Sequence, residues 1–351
     1  MNSKKLFWKY IIPALFLNLL FAGQTFVEDP KLILDKPGSF KVVIWSVYNS
    51  MSGSNFTKTD KDANYKKLVT ITDTVRKNPV LSNIKGFDCQ ALLYARNYDI
   101  RNSYGIPCQL SFEFCSWLLY KGKEVKETSE PPHWDIEINV LNPFTRNILG
   151  GSTFKPSEKP KAGFNYEAWN KVGEKLRDML QMPGKKETLE PGMDRYNNES
   201  VIIYNPDRPP YWLPVTIREA FTLLIELWRL HPDQVQSDFI AKTLEDEYAH
   251  FSEEERNGYA YAGSGDERSP IGNIGTQKSE DALPVMRVNP AYWNKSLPRS
   301  AVQILTFNCP ADKNFIRKEK EERLKYNSTS YHVSRFVESL DIRLLLPLID
   351  R

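Results

Sequence analysis

The strongest periodic pattern of apolar residues lies in residues 209–251 and predicts two consecutive helices. Thr216 and Glu219 have the spacing of a capping box, in which each side chain bonds the other residue's backbone amide and fixes the helix start. Apolar residues then recur at helical spacing: Ile217, Ala220, Phe221, Leu224, Leu227 and Trp228. Because apolar positions cover most of this helix, we expect it to be buried at the centre of the fold. Pro232 ends it, and Asp233 begins a second helix.

Alternation of apolar and polar residues predicts β-strands elsewhere in the chain. Residues 107–120 and 134–142 alternate with a period of two, which indicates neighbouring strands of a meander with one polar face. The uninterrupted apolar runs 40–48 and 301–307 predict buried strands. Further helical patterns cover residues 63–77, 166–182, 312–325 and 330–346.

Helices and strands do not alternate regularly along the chain, which favours an α+β fold over a doubly wound sheet. We expect an antiparallel sheet, a meander with additional strands, packed against the central helix pair and further helices. Residues 24–351 are expected to form a single large domain. A possible weak subdomain boundary falls at residues 143–163, which contain several Gly, Pro and Lys.

Residues 1–23 have the composition of a secretory signal peptide. Three lysines precede an apolar run at residues 11–21, and Ala22 and Gly23 supply small residues for cleavage. The run is shorter than the roughly 20 residues that a membrane-spanning helix needs. We therefore expect a secreted or periplasmic protein with no membrane span after signal removal, although a retained anchor is the alternative.

Charge and composition narrow the possible partners. The chain of 351 residues has 47 basic and 44 acidic residues, and the basic residues form no patch. Nucleic acid is therefore not expected as a partner. An exported protein can form disulfides, but a domain of this size does not need them, and we expect free thiols at four positions: Cys89, Cys108, Cys115 and Cys309.

Familiar catalytic motifs are absent from the sequence, and with four histidines no metal or other cofactor is expected. Glu247 and His250 have the E-x-x-H spacing of one half of a carboxylate–histidine metal site, but no second pair exists. Cys115 with His133 or His332 is a possible thiol nucleophile and base, whereas a cysteine within a strand is more often a core residue.

The predicted ligand-binding residues are aromatic and flank the aperiodic segment 258–299. Flat apolar rings with polar tips suit sugar rings and peptides, and the alternative is that they anchor the segment to the core. The six residues are Tyr211, Trp212, Tyr259, Tyr261, Tyr292 and Trp293. The predicted function is non-catalytic binding of a glycan, a peptide or an envelope protein through this region.

The alternative function is an extracytoplasmic hydrolase that uses paired carboxylates. Its candidates are Glu113, Asp135, Glu137, Glu226 and Glu247, of which the first three lie on the outward faces of predicted neighbouring strands. A hydrolase requires two acids that converge in a cleft with at least one displaced pKa. A binding protein requires a shallow aromatic surface.

Overall fold

The computed structural model describes residues 29–44, 56–95, 104–140, 146–147, 165–231, 234–269 and 273–351. The predicted signal peptide, Asp233 and nearly all of residues 143–163 lie outside these ranges. Within them, helices combine with a predominantly antiparallel sheet, so the predicted α+β fold is confirmed. None of the described helices is both long and apolar enough to cross a membrane.

Ten of the described strands form the larger sheet. They are β1 (Lys31–Leu32), β2 (Phe40–Ile44), β3 (Phe87–Ala95), β4 (Cys108–Tyr120), β5 (Lys123–Lys126), β6 (His133–Ile138), β9 (Lys185–Glu190), β10 (Met193–Tyr196), β11 (Ser200–Tyr204) and β16 (Ile304–Asn308). The order is β2-β3-β4-β6-β16-β11-β10-β9, and β1 and β5 pair with the last residues of β4. Only the β2–β3 pair is parallel among these described strands.

The smaller sheet contains six of the described strands. They are β7 (Arg146–Asn147), β8 (Met179–Gln181), β12 (Trp212–Pro214), β13 (Tyr261–Ala262), β14 (Ile274–Gly275) and β15 (Leu283–Val288). The α-helices are α1 (Lys58–Val75), α2 (Pro79–Ser82), α3 (Tyr166–Arg177), α4 (Ile217–Arg229), α5 (Gln234–Ala249), α6 (Glu253–Asn257), α7 (Lys313–Lys325) and α8 (Tyr331–Ser339). Short 3-10 helices span Pro290–Tyr292 and Ile342–Leu348.

The first core lies between one face of the larger sheet and helices α1, α2 and α8. Alternation along β4 sends Leu110, Phe112 and Phe114 into this core, where all three are fully buried. The rings of Trp134 and Phe336 meet edge to face, with centroids 5.1 Å apart. The predicted alternation in this strand is therefore confirmed.

The second core is centred on α4. The capping box forms as predicted, because Glu219 N donates to Thr216 Oγ1 at 3.1 Å and Thr216 N donates to Glu219 Oε2 at 3.2 Å. Phe221 is fully buried, and its ring packs 5.7 Å from that of Phe251 on the chain that follows α5. Trp228 is only half-buried. Burial of α4 is confirmed, and its position is the centre of this second core.

An aromatic layer joins the two sheets. Residues of β8 and β12, including Leu180 and Trp212, pack against Tyr196, Ile202 and Ile304, which project from the second face of the larger sheet. This layer continues through Tyr211, Tyr292 and Trp293. The second face is therefore apolar where the smaller sheet covers it and polar on strands β4 and β6.

Several predicted elements were wrong. Strand β2 was expected to be buried, but it is an edge strand on which Val42 and Ile44 are exposed. The predicted helix 330–346 ends at Ser339, because Asp341 caps a new 3-10 turn by accepting from Arg343 N at 3.1 Å. The predicted helix 166–182 ends at Arg177 and continues as β8.

Candidate functional site

The structure divides the six predicted aromatic residues into two groups. Four of them lie in the aromatic layer with no more than 6% of their surface exposed: Tyr211, Trp212, Tyr292 and Trp293. Tyr259 is 60% exposed, and Tyr261 on β13 is partly exposed. The six residues therefore do not form one surface, which corrects the expected arrangement. Ligand contact by any of the six residues stays a prediction.

Hydrogen bonds explain why the tyrosines of the aromatic layer are buried. The Tyr292 hydroxyl donates to the carbonyl oxygen of Gln303 at 2.5 Å, and the Tyr211 hydroxyl donates to Asp194 at 2.9 Å. Burial raises the pKa of Tyr204, beside Asp194, to about 12. These contacts favour the alternative role, in which the rings anchor the chain between the two sheets.

Tyr261 lines a cleft of about 610 Å³ between the smaller sheet and the turn that joins β10 to β11. We name it the Tyr261 cleft. Its polar lining residues are Gln181, Asn197, Asn198, Gln277, Glu280 and Asp281. Amide side chains both donate and accept hydrogen bonds, and no Lys or Arg is among the described lining residues. The cleft therefore suits a neutral or cationic polar ligand beside an aromatic ring.

The wall of this cleft depends on a close approach between Gly184 and Asn197. Asn197 N donates to the Gly184 carbonyl oxygen at 2.9 Å. A Cβ atom at Gly184 would lie 2.8 Å from Asn197 Nδ2, so a larger residue would displace the amide. The neighbouring Asn198 Oδ1 accepts from Ser200 N and Oγ, which fixes the turn. The lining is thus held by local contacts.

A second group of polar side chains lies on the open part of the larger sheet. His133, Asp135 and Glu137 share one face of β6, with Glu113 directly opposite His133 on β4 and Ser111 opposite Asp135. The predicted common face of Glu113, Asp135 and Glu137 is confirmed, although Glu137 is buried. Glu113 and Asp135 are diagonal neighbours across the two strands.

Electrostatic effects within this group change the pKa of Glu113. Burial raises the pKa of Glu113; His133 opposes this shift, and Asp135 adds to it. His133 Nε2 lies 3.6 Å from Asp135 Oδ2. Acid–base hydrolysis uses a carboxyl group with a raised pKa beside a second carboxyl group.

A cleft of about 660 Å³ begins at this polar face. We name it the Asp135 cleft, and its polar lining includes His133, Asp135, Glu137, Asn308, Glu319 and Arg323. Arg323 Nη1 donates to Ser334 Oγ at 2.7 Å, and Arg323 Nη2 donates to Glu319 at 3.1 Å. Arg323, the one Lys or Arg among the described lining residues, is therefore already paired with a carboxylate.

The other predicted carboxylates lie elsewhere. Glu226 is exposed on α4, whereas Glu247 is buried on α5 and accepts from Ser269 Oγ at 3.4 Å. Neither reaches the polar face of the larger sheet. Within the described residues, no group of three or more His, Cys, Asp or Glu side chains could hold a metal ion.

The four cysteines are free and buried, as expected. Burial raises the pKa of Cys108 to about 12 and also raises the pKa of Cys115, which is opposite to the shift that activates a thiol. Cys115 pairs across from Asp88, whereas His332 packs against Phe87, which points to the opposite face. Cys115 and His332 therefore do not form a nucleophile and base.

Comparisons with protein-family models, with curated proteins and with solved structures find no match to this chain.

The sequence reasoning missed the amide residues of the Tyr261 cleft. Gln181 and Gln277 lie 96 residues apart and line the same cleft only because β8 and β14, which ends two residues before Gln277, belong to the same sheet. The Asn197–Asn198 pair between two short strands is a turn signal that marks one wall of the cleft.

Proposed function

We propose that this protein is an exported, non-catalytic binding protein that holds a glycan in the Tyr261 cleft. The observation that carries the proposal is the convergence of one aromatic ring with amide and carboxylate side chains around about 610 Å³. An aromatic ring stacks on the apolar face of a sugar, while amides bond its hydroxyl groups as donors and acceptors. The signal-like composition of residues 1–23 supports the export part of this proposal.

The lining chemistry favours a glycan over a peptide or a protein partner. The lining combines the exposed polar residues Gln277, Glu280 and Asp281 with apolar residues, which include Pro183, Ala282 and Leu283. A stable protein partner would bury about 800 Å² on each side around an apolar centre. A sugar carries both hydroxyl groups and apolar ring faces, so it matches a mixed cleft of this kind better.

Titration calorimetry with a panel of oligosaccharides tests this function. Wild type is expected to bind at least one oligosaccharide, and Tyr261→Ala is expected to weaken that binding about tenfold, which corresponds to about 1.4 kcal/mol. Tyr326→Ala is the matched control, because Tyr326 is 71% exposed at the end of α7 and does not line the cleft. Equal affinities of wild type and Tyr261→Ala would contradict the proposal.

The second candidate function is hydrolysis by the carboxylates of the larger sheet. It is favoured by one observation, the diagonal placement of Glu113 beside Asp135 together with the raised pKa of Glu113. Glu113 would donate a proton to the leaving group, and Asp135 would act as base or nucleophile.

This candidate is tested by hydrolysis of chromogenic glycosides. Glu113→Gln and Asp135→Asn are expected to lower the rate at least 100-fold, because each removes one of two acid–base groups. Glu226→Gln provides the control, since Glu226 is exposed on a different element. A complete lack of hydrolysis by wild type would rule this function out.

A further inference from the structure

The two clefts meet at a pair of asparagines. Asn308 Nδ2 donates to the carbonyl oxygen of Asn198 at 3.1 Å. Asn198 lines the Tyr261 cleft, and Asn308 lines the Asp135 cleft. Both residues are exposed, so one hydrogen-bonded pair forms the surface between the two clefts.

This boundary between the clefts is held in place from both sides. Asn308 is the last residue of β16 and pairs with Ser200, the first residue of β11. Beyond it, Cys309 N donates to the carbonyl oxygen of Glu199 at 2.9 Å, and Ala311 N donates to Glu199 Oε2 at 2.8 Å. The clefts therefore have a fixed relative position at the same end of the larger sheet.

We infer that the two clefts are parts of one extended site, and that the ligand is a linear glycan of several units that crosses the Asn198–Asn308 pair. This inference rests on the proposed glycan binding at the Tyr261 cleft. A single sugar would occupy only the Tyr261 cleft, while a longer chain would also contact His133 and Asp135.

Charge narrows the class of glycan. The Tyr261 cleft contributes Glu280 and Asp281, and the Asp135 cleft contributes Asp135. The guanidinium of Arg323 is paired with Glu319, so it offers little attraction to a further anion. Like charges repel, so these carboxylates disfavour the binding of a chain of negatively charged uronic acids. The extended site thus selects neutral or amino-substituted chains.

Chain-length dependence tests this inference. Calorimetry would compare di- and hexasaccharides of glucose, glucosamine and galacturonic acid on the full chain. The affinity of wild type for the hexasaccharide of glucose or of glucosamine is expected to exceed that for the disaccharide about tenfold. His133→Ala is expected to remove most of this gain and to leave disaccharide binding unchanged. His133 is more than half exposed, so its removal spares the core.

The outcomes separate this inference from the proposed function. Equal affinities for di- and hexasaccharide, or a His133→Ala variant that keeps the whole gain, would overturn the extended site while glycan binding stands. Galacturonate chains that bind as tightly as glucose chains would overturn the charge selection. If no oligosaccharide binds wild type, both the proposed function and the extended site fail.

Discussion

The hydroxyl group of Tyr211 donates a hydrogen bond of 2.9 Å to a carboxylate oxygen of Asp194 in the interior of the protein. Asp194 belongs to β10 of the larger sheet, and Tyr211 immediately precedes β12 of the smaller sheet. The second carboxylate oxygen accepts from Thr188 Oγ1 at 2.8 Å. The buried side chain of Asp194 therefore bonds one residue of the larger sheet and one residue next to the smaller sheet, and it links the aromatic layer to the fold.

Replacing Tyr211 with Phe keeps the ring and removes this donor. We expect the free energy of unfolding to fall by about 1–3 kcal/mol, because a buried carboxylate loses one hydrogen bond. Urea denaturation of Tyr211→Phe measures the change, and Tyr259→Phe serves as an exposed control with an effect within about 0.5 kcal/mol. Identical stabilities of the two variants would contradict the role given to Asp194.

The position of α4 in the second core predicts how much its buried side chains contribute to stability. Phe221→Ala removes a fully buried ring and should lower the free energy of unfolding by about 3–5 kcal/mol. Phe239→Ala, on a residue that is 67% exposed on α5, should change it by no more than about 0.5 kcal/mol. Thermal or urea unfolding of the two variants measures these changes. A Phe221→Ala variant as stable as wild type would refute the burial of Phe221.

His332 should make stability depend on pH. Burial, assisted by Arg335 and partly opposed by the Gly86 backbone, lowers the pKa of His332 from 6.5 to about 3. The unfolded chain binds the proton near pH 6.5 and the folded chain does not. The free energy of unfolding should therefore fall as the pH drops below about 6.5, by at most about 1.4 kcal/mol per unit.

Urea titrations at several values between about pH 7 and 5 measure this slope, in a window above the range in which most carboxylates titrate. His332→Gln should flatten the slope in this window. His133→Gln is the matched control, because its side chain is mostly exposed. A slope that is unchanged in His332→Gln would show that another group is responsible.

Arg268 should control the titration of Glu255. The guanidinium donates to both carboxylate oxygens, with Nη2 2.9 Å from Oε1 and Nη1 3.1 Å from Oε2. Arg268 is the main cause that lowers the pKa of Glu255 to about 2, with a further contribution from the Ser252 backbone. Carboxyl-detected NMR should find this pKa in wild type and a higher value in Arg268→Ala, which stays below the ordinary value of about 4.3 because the Ser252 hydrogen bonds remain. If the pKa of Glu255 were the same in Arg268→Ala as in wild type, the role given to Arg268 would be contradicted.

Long periodic segments could be predicted from the sequence, and short strands could not. The capping box at Thr216 and the alternation in β4 depend on neighbouring residues, so both were found where the structure has them. Strand β15 lies inside segment 258–299, which was read as aperiodic. Its partners β8, β12 and β13 have two or three residues each, too few for a period to appear.

The candidate site was harder to predict than the fold, because its residues meet through sheet pairing. Glu113 and Asp135 were placed on one face from alternation alone, and the register agrees. Aromatic content gave no such guidance, since Trp212 and Tyr261 each have a second aromatic residue within two positions but differ in burial. Burial depends on which strand covers each ring, and this is a property of the whole sheet.

The central claim is that a glycan lies against Tyr261, and labelled tyrosine rings report this contact directly. NMR spectra of the protein with isotope-labelled tyrosine would be recorded during titration with a glucose hexasaccharide. The Tyr261 ring signal is expected to shift with saturating dependence on ligand, while the signals of buried Tyr292 and exposed Tyr326 stay in place. Unmoved Tyr261 signals at a concentration that saturates binding, or shifts confined to other tyrosines, would contradict the account.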